Sequence, residues 1–129
     1  MTPSDDRQLV AGCMLGSFTG TEAPTWFLDL VREGLAGVLL FAQNVIDDAQ
    51  VTDLCRQLRA GRADVVIAID EEGGDVTRLD VNTGSFVPGP LALGAADDPE
   101  LTAAVARHLG RDLANLGINL NFADRKSVV

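Results

Sequence analysis

Asp70, Glu71, Glu72, Asp75 and Arg78 stand close together in the stretch DEEGGDVTR, with the pair Gly73–Gly74 among them. A carboxylate accepts hydrogen bonds and donates none, whereas arginine offers five N–H donors in a rigid planar fork. The glycine pair lets the chain fold back, so Asp70 and Arg78 can meet at one rim. There they could hold neighbouring hydroxyls of a sugar, because each hydroxyl is both donor and acceptor. Two plainer readings stand beside this one. Asp70 could cap the following turn by accepting backbone N–H bonds, and Arg78 could form a surface ion pair with one of the acids, worth ~0–1 kcal/mol. Asp70 and Arg78 are the candidate substrate-binding residues. Asn44 either braces the same rim or is an ordinary turn residue. Trp26 would stack well on a sugar face, but it sits early in a helical segment, where packing is the simpler role. His108, the only histidine, lies in another helical segment beside its apolar face and reads as a helix-flank residue.

These residues need elements to carry them. VVIAID, Val65 to Asp70, is apolar without polar alternation, the pattern of a strand covered on both faces in a parallel sheet. LAGVLLFA, Leu35 to Ala42, reads the same way. The Gly-interrupted run Leu9 to Phe18 is expected to form the first strand and INLNF, 118–122, the fourth. Helices are expected over Pro24 to Glu33, from the cap candidates Asp47 and Asp48 to Gly61, and from Pro99 to Leu116. Their apolar stripes are Phe27, Leu30 and Val31; Val51, Leu54, Cys55 and Leu58; and Leu101, Val105, Leu109, Leu113 and Leu116. Residues 71–98, with five Gly and two Pro, are expected as one long loop.

Alternating helices and fully apolar strands indicate an α/β fold with right-handed crossovers. About four parallel strands and three helices amount to the N-terminal half of a (β/α)8 TIM-type barrel, incomplete by itself. A doubly wound open sheet is the alternative, although the first strand-to-helix turn lacks a G-x-G-x-x-G phosphate cradle. In a barrel, active-site groups project from the C-terminal ends of strands, where Asp70 stands.

Composition narrows the function classes. The chain of 129 residues is 47% hydrophobic and 22% charged, enough apolar side chain for a real core. A net charge of −9 repels phosphate backbones and anionic membrane faces, which disfavours nucleic acid as a partner. The longest apolar stretch, Gly34 to Ala42, is about half of what a membrane-spanning helix requires. The N-terminus MTPSDDRQLV is acidic where a signal peptide is basic, so a cytoplasmic location is expected. Cys13 and Cys55 have no Cys or His at metal-ligand spacing and read as two buried reduced thiols.

GVLLFAQN, VVIAIDEEGGDVTRL, PGPLALGAADDPELT and LGINLNFA, in that order, resemble the N-terminal barrel domain of family 3 glycoside hydrolases, in its bacterial β-N-acetylhexosaminidase branch. The likeness runs over roughly residues 7–123 and rests on D-x-E-G-G-x-V-x-R, L-F-x-x-N and L-G-I-N-x-N-F-A; Asp75 departs from it, standing where many members carry a basic residue. The resemblance implies a retaining glycosidase acting on terminal N-acetylglucosaminyl units in cell-wall or amino-sugar turnover, with no metal or organic cofactor. It implies substrate contacts at Asp70 and Arg78 and a bracing role for Glu72; by its position after the strand end, Glu71 is expected to point elsewhere in the turn. It also places the nucleophile, an Asp after a late strand, and the acid/base, a His on a mobile loop, outside any segment matched here; His108 lacks that loop's context. The chain is therefore expected to carry sugar-binding residues without hydrolysing. A non-catalytic carbohydrate-binding half-barrel, and a lyase using Glu71 and Glu72, are the alternatives. The matched pattern stops at residue 123, and DRKSVV, which holds the only Lys, reads like a translated sequencing adapter. Residues 1–123 are accordingly expected to be barrel and 124–129 a non-native tail, with a divergent natural terminus as the alternative.

Overall fold

The computed structural model describes residues 3–123, so the expected non-native tail lies outside the described residues. In chain order the elements are α1 (Pro3–Ala11), β1 (Leu15–Gly16), α2 (Thr25–Arg32), β2 (Gly37–Leu40), a 3-10 turn (Ala42–Asn44), α3 (Asp48–Gly61), β3 (Val66–Ile69), α4 (Pro90–Ala96), α5 (Pro99–Leu116) and β4 (Leu120–Asn121). The four strands form one parallel sheet in the order β1-β2-β3-β4. This is the expected half-barrel topology, since each new strand is added beside the last.

The helices form for identifiable reasons. α3 starts where the Asp47 side chain accepts the Gln50 N–H at 2.8 Å, and α5 where Asp98 accepts the N–H groups of Glu100 and Leu101. Such caps are worth ~1 kcal/mol each. α5 ends at Gly117, whose φ of 93° suits the left-handed residue that closes a helix.

Register decides which face of the sheet is buried. Val38 pairs with Ile67 and Leu40 with Ile69, so these four share a face. All four are fully buried, in one cluster with Phe27, Val31, Val51, Leu54, Leu58, Leu109 and Leu113 from the helices. The opposite face carries Leu15, Leu39, Val66 and Leu120, by the pairings Leu15–Gly37, Gly37–Val66, Leu39–Ala68 and Ala68–Leu120. There, Leu15 and Leu120 are 36% and 37% exposed. One side of the sheet is thus a helix-covered core, and the other is an apolar surface that a full barrel would enclose.

Several expectations need correction. The run Leu9 to Phe18 is not one strand. Its first residues complete α1, which opens on Pro3 with acids behind it, a favourable helix start, and only Leu15–Gly16 pair with β2. The 71–98 loop contains α4, set off by Pro90 at its first turn and closed by Asp97 in the left-handed region. There are therefore five α-helices among the described residues, not three. On α5 the N-terminal half lies off the core: Leu101 is exposed and only Leu109, Leu113 and Leu116 are buried. Cys13 is exposed, because it falls in the turn that follows α1, whereas Cys55 is buried. No helix among the described residues is long and apolar enough to cross a membrane.

Two outcomes follow from this packing. Burial pushes the Cys55 thiol up to about 11 from its ordinary 9.0. The unfolded chain ionises first, so the stability it contributes is full below pH 9.0 and is lost as pH rises toward about 11. A thiol reagent at neutral pH should label Cys13 and spare Cys55 until denaturant is added; equal labelling of both would contradict the packing. The bare apolar face should make the 129-residue chain aggregate, become molten, or pair with a second copy. Light scattering on a sizing column that finds a monodisperse monomer with a cooperative melt would contradict this.

Candidate functional site

The end of β3 is where the acidic residues emerge. The 2-residue alternation of a strand, carried beyond Ile69, turns Asp70 away from the helix layer and Glu71 back into it. The burial agrees: the side chain of Asp70 is 30% exposed, whereas Glu71 is 2% exposed overall.

The chain then folds back tightly. Glu72 and Gly73 N–H groups both donate to the Val76 carbonyl, and the Val76 N–H returns to Gly73. Gly73 has φ of 84°, and a Cβ there would sit 2.8 Å from the Val87 carbonyl oxygen and 2.9 Å from that of Pro88. Only glycine meets both demands. The returning limb brings the Arg78 guanidinium to 3.5 Å from the Asp70 carboxylate. Both side chains are about 30% exposed, so the pair is screened and adds at most ~1 kcal/mol to stability. Its value lies in orientation: an acceptor and a donor fork sit side by side at the C-terminal edge of the sheet.

Arg78 also lines an open depression of about 540 Å³ with Phe41, Ala42 and Gln43, which follow β2. Asn44 holds this edge from beneath. Its amide donates to the carbonyls of Phe18 (3.0 Å) and Gly20 (2.7 Å), and its oxygen accepts the Phe41 N–H at 2.9 Å. Asn44 is thus the brace between the loops after β1 and β2, buried and without access to a ligand. Another depression, about 430 Å³, lies between α1 and α2, and its walls are mainly apolar: Val10, Ala11, Met14, Leu30 and Leu35 beside Asp6 and Arg7. It is far from the acidic turn in the fold, at the N-terminal ends of the strands.

Of the residues singled out from sequence, Asp70 and Arg78 come together as expected. The brace of the turn is Glu71 rather than Glu72. Glu71 Oε2 accepts the backbone N–H groups of Arg78 (2.7 Å) and Leu79 (3.1 Å), while the Glu72 backbone N–H bonds the turn itself. Residue type cannot separate two adjacent glutamates, but the strand alternation could have done so. Asn121 was also missed: its amide spans the N–H (3.0 Å) and the carbonyl (2.7 Å) of Glu71, binding β4 to the end of β3. Trp26 is exposed on α2, edge-on to Phe27. His108 is exposed on α5, 3.4 Å from Asp112. Every buried side-chain nitrogen and oxygen among the described residues has a partner.

The architecture is thus a parallel half-barrel with an acid and an arginine paired at the C-terminal edge of its sheet. The family profile described as the Glycosyl hydrolase family 3 N terminal domain matches residues 21–125, and the chain belongs to that family. Beta-hexosaminidase of Pseudomonas aeruginosa is 38% identical over 119 residues, covering 85% of this chain and 35% of that protein. Beta-hexosaminidase A of Pseudoalteromonas piscicida is 33% identical, over 80% of this chain and 19% of that protein. Among solved structures, a glycoside hydrolase family 3 beta-N-acetylglucosaminidase from Paenibacillus sp. str. FPU-7 superposes with a TM-score of 0.83 at 38% identity, over 95% of this chain and 24% of that one. NagZ from Neisseria gonorrhoeae shares the fold, with a TM-score of 0.71 over 86% of this chain and 35% of that one at 23% identity. The chain therefore spans about a third or less of the length of these relatives.

The turn makes a test independent of any ligand. Gly84 shares the left-handed backbone of Gly73 but has open space around it. Gly84→Ala should cost about 1 kcal/mol from backbone strain, and Gly73→Ala about 1–3 kcal/mol, because strain and collision add. Urea melts that give equal losses would mean the Gly73 contact with Val87 and Pro88 is not made.

Proposed function

We propose that residues up to 123 are the sugar-binding half of a retaining β-N-acetylhexosaminidase barrel, with Asp70 and Arg78 gripping hydroxyls of a terminal N-acetylglucosaminyl unit. The observation that carries the reading is the 3.5 Å Asp70–Arg78 pair on the strand edge, beside the depression under Phe41 and Gln43. The carboxylate accepts from sugar hydroxyls and the guanidinium donates to them, so the pair can exchange its mutual contact for two contacts to substrate. The likeness to proteins called beta-hexosaminidases supports the sugar class. In this reading the nucleophile and the acid/base come from barrel strands that these residues do not include, and turnover serves cell-wall or amino-sugar metabolism in the cytoplasm. Family membership and the pairing of Asp70 with Arg78 favour it over a lyase built on Glu71 and Glu72, since Glu71 is committed to backbone N–H groups.

The test is hydrolysis of p-nitrophenyl N-acetyl-β-D-glucosaminide by a longer protein carrying these residues. Losing a hydrogen bond to a charged group is worth ~1.5–3 kcal/mol, so Asp70→Asn should lower kcat/KM by about 10-fold to 150-fold. The 129-residue chain alone should release no p-nitrophenol above buffer. Release by that chain that disappears in Asp70→Ala, or an unchanged kcat/KM for Asp70→Asn, would overturn the reading.

A further inference from the structure

We propose that Glu71 is a positioning residue that presets the Arg78 guanidinium beside Asp70 by clamping the returning limb of the loop to the sheet. This rests on the sugar-binding reading of the Asp70–Arg78 pair. The clamp has two halves. On the sheet side, Asn121 of β4 occupies both the N–H and the carbonyl of Glu71, so the Glu71 backbone is tied to β4 at both of its polar groups. On the loop side, Glu71 Oε2 takes the N–H groups of Arg78 and Leu79 at 2.7 and 3.1 Å. One buried oxygen thus fixes the Cα of the residue whose side chain must reach the mouth. Thr77 reinforces the same limb: it is buried, and its hydroxyl accepts the Asp80 N–H at 2.9 Å. Without the clamp, the Gly73–Gly74 turn would leave Arg78 on a hinge, and its fork would pay the entropy of ordering at each binding event.

The geometry also states which replacements work. Only an oxygen at the Oε2 position is used, and an amide oxygen accepts two N–H groups as a carboxylate oxygen does. Gln should therefore substitute. Asp keeps the charge but falls one methylene short of both N–H groups, and Ala removes the acceptor.

The experiment is a titration of a longer protein carrying these residues with N-acetylglucosamine, followed by NMR, with amide hydrogen exchange read on the same samples. Glu71→Ala and Glu71→Asp should speed exchange at Arg78 and Leu79 at least tenfold, leave the α3 amides unchanged, and weaken sugar binding at least tenfold. Glu71→Gln should hold both within about threefold of the unaltered protein. If Glu71→Ala does not fold, the Asp and Gln variants carry the comparison. Protected Arg78 and Leu79 amides in Glu71→Asp, or full sugar affinity despite their release, would overturn the proposal. No sugar binding by the unaltered longer protein would instead sink the sugar reading, and the exchange result would then decide whether the clamp exists.

Discussion

The alternation of three consecutive side chains at the end of β3 organises the candidate site. Ile69 faces the helices and is fully buried, Asp70 turns away from them to stand partly exposed beside Arg78, and Glu71 turns back to be buried against the loop. Strand geometry imposes this order, and a register slip by one residue would exchange the two carboxyl groups. Hydrophobic burial holds the register: Val38, Leu40, Ile67 and Ile69 are all at 0% exposure on the helix side. At ~25 cal/mol per Å², the apolar area of those side chains outweighs any single polar contact at the site. The core therefore settles which acid is free to meet a ligand and which is committed to holding the backbone.

A functional pair on a loop needs that loop to be stiff. The loop after β3 has few buried apolar anchors of its own, with Leu79 and Val87 packed only partly against the core. Backbone contacts supply the rest. Gly74 N–H meets the Val87 carbonyl at 2.8 Å, and Gly73 packs too closely on Val87 and Pro88 to admit a side chain. The tip is different in kind: Val81 and Phe86 are exposed, Phe86 at 90%. Burial is concentrated at the limb that carries Arg78 and thins toward the tip, the distribution expected where one residue must be placed and its neighbours need not be.

Much of this was legible in the residues. β2 and β3 announce themselves because strands of a parallel sheet are apolar without alternation, and α2, α3 and α5 because their stripes and caps agree. α1 was hidden by the apolar run that joins its last turn to β1, and α4 by the glycines and prolines on either side of it. The Asp70–Arg78 pairing was legible from residue type and from the turn between them. The Glu71 clamp was not, because it needs knowledge of which backbone N–H groups come near. β4 shows the same limit: Asn119 pairs with the Ile67 N–H and the Val65 carbonyl through its side-chain amide, extending the ladder by means that strand propensity does not register.

The central claim is that Asp70 and Arg78 act as one unit on a sugar. A double-mutant cycle on N-acetylglucosamine affinity, using Asp70→Asn, Arg78→Ala and the two combined, measures this directly. A coupling of about 1 kcal/mol or more between the two sites is predicted, the double variant losing little beyond either single one. Losses that add within about 0.5 kcal/mol, or no loss from either substitution, would contradict it.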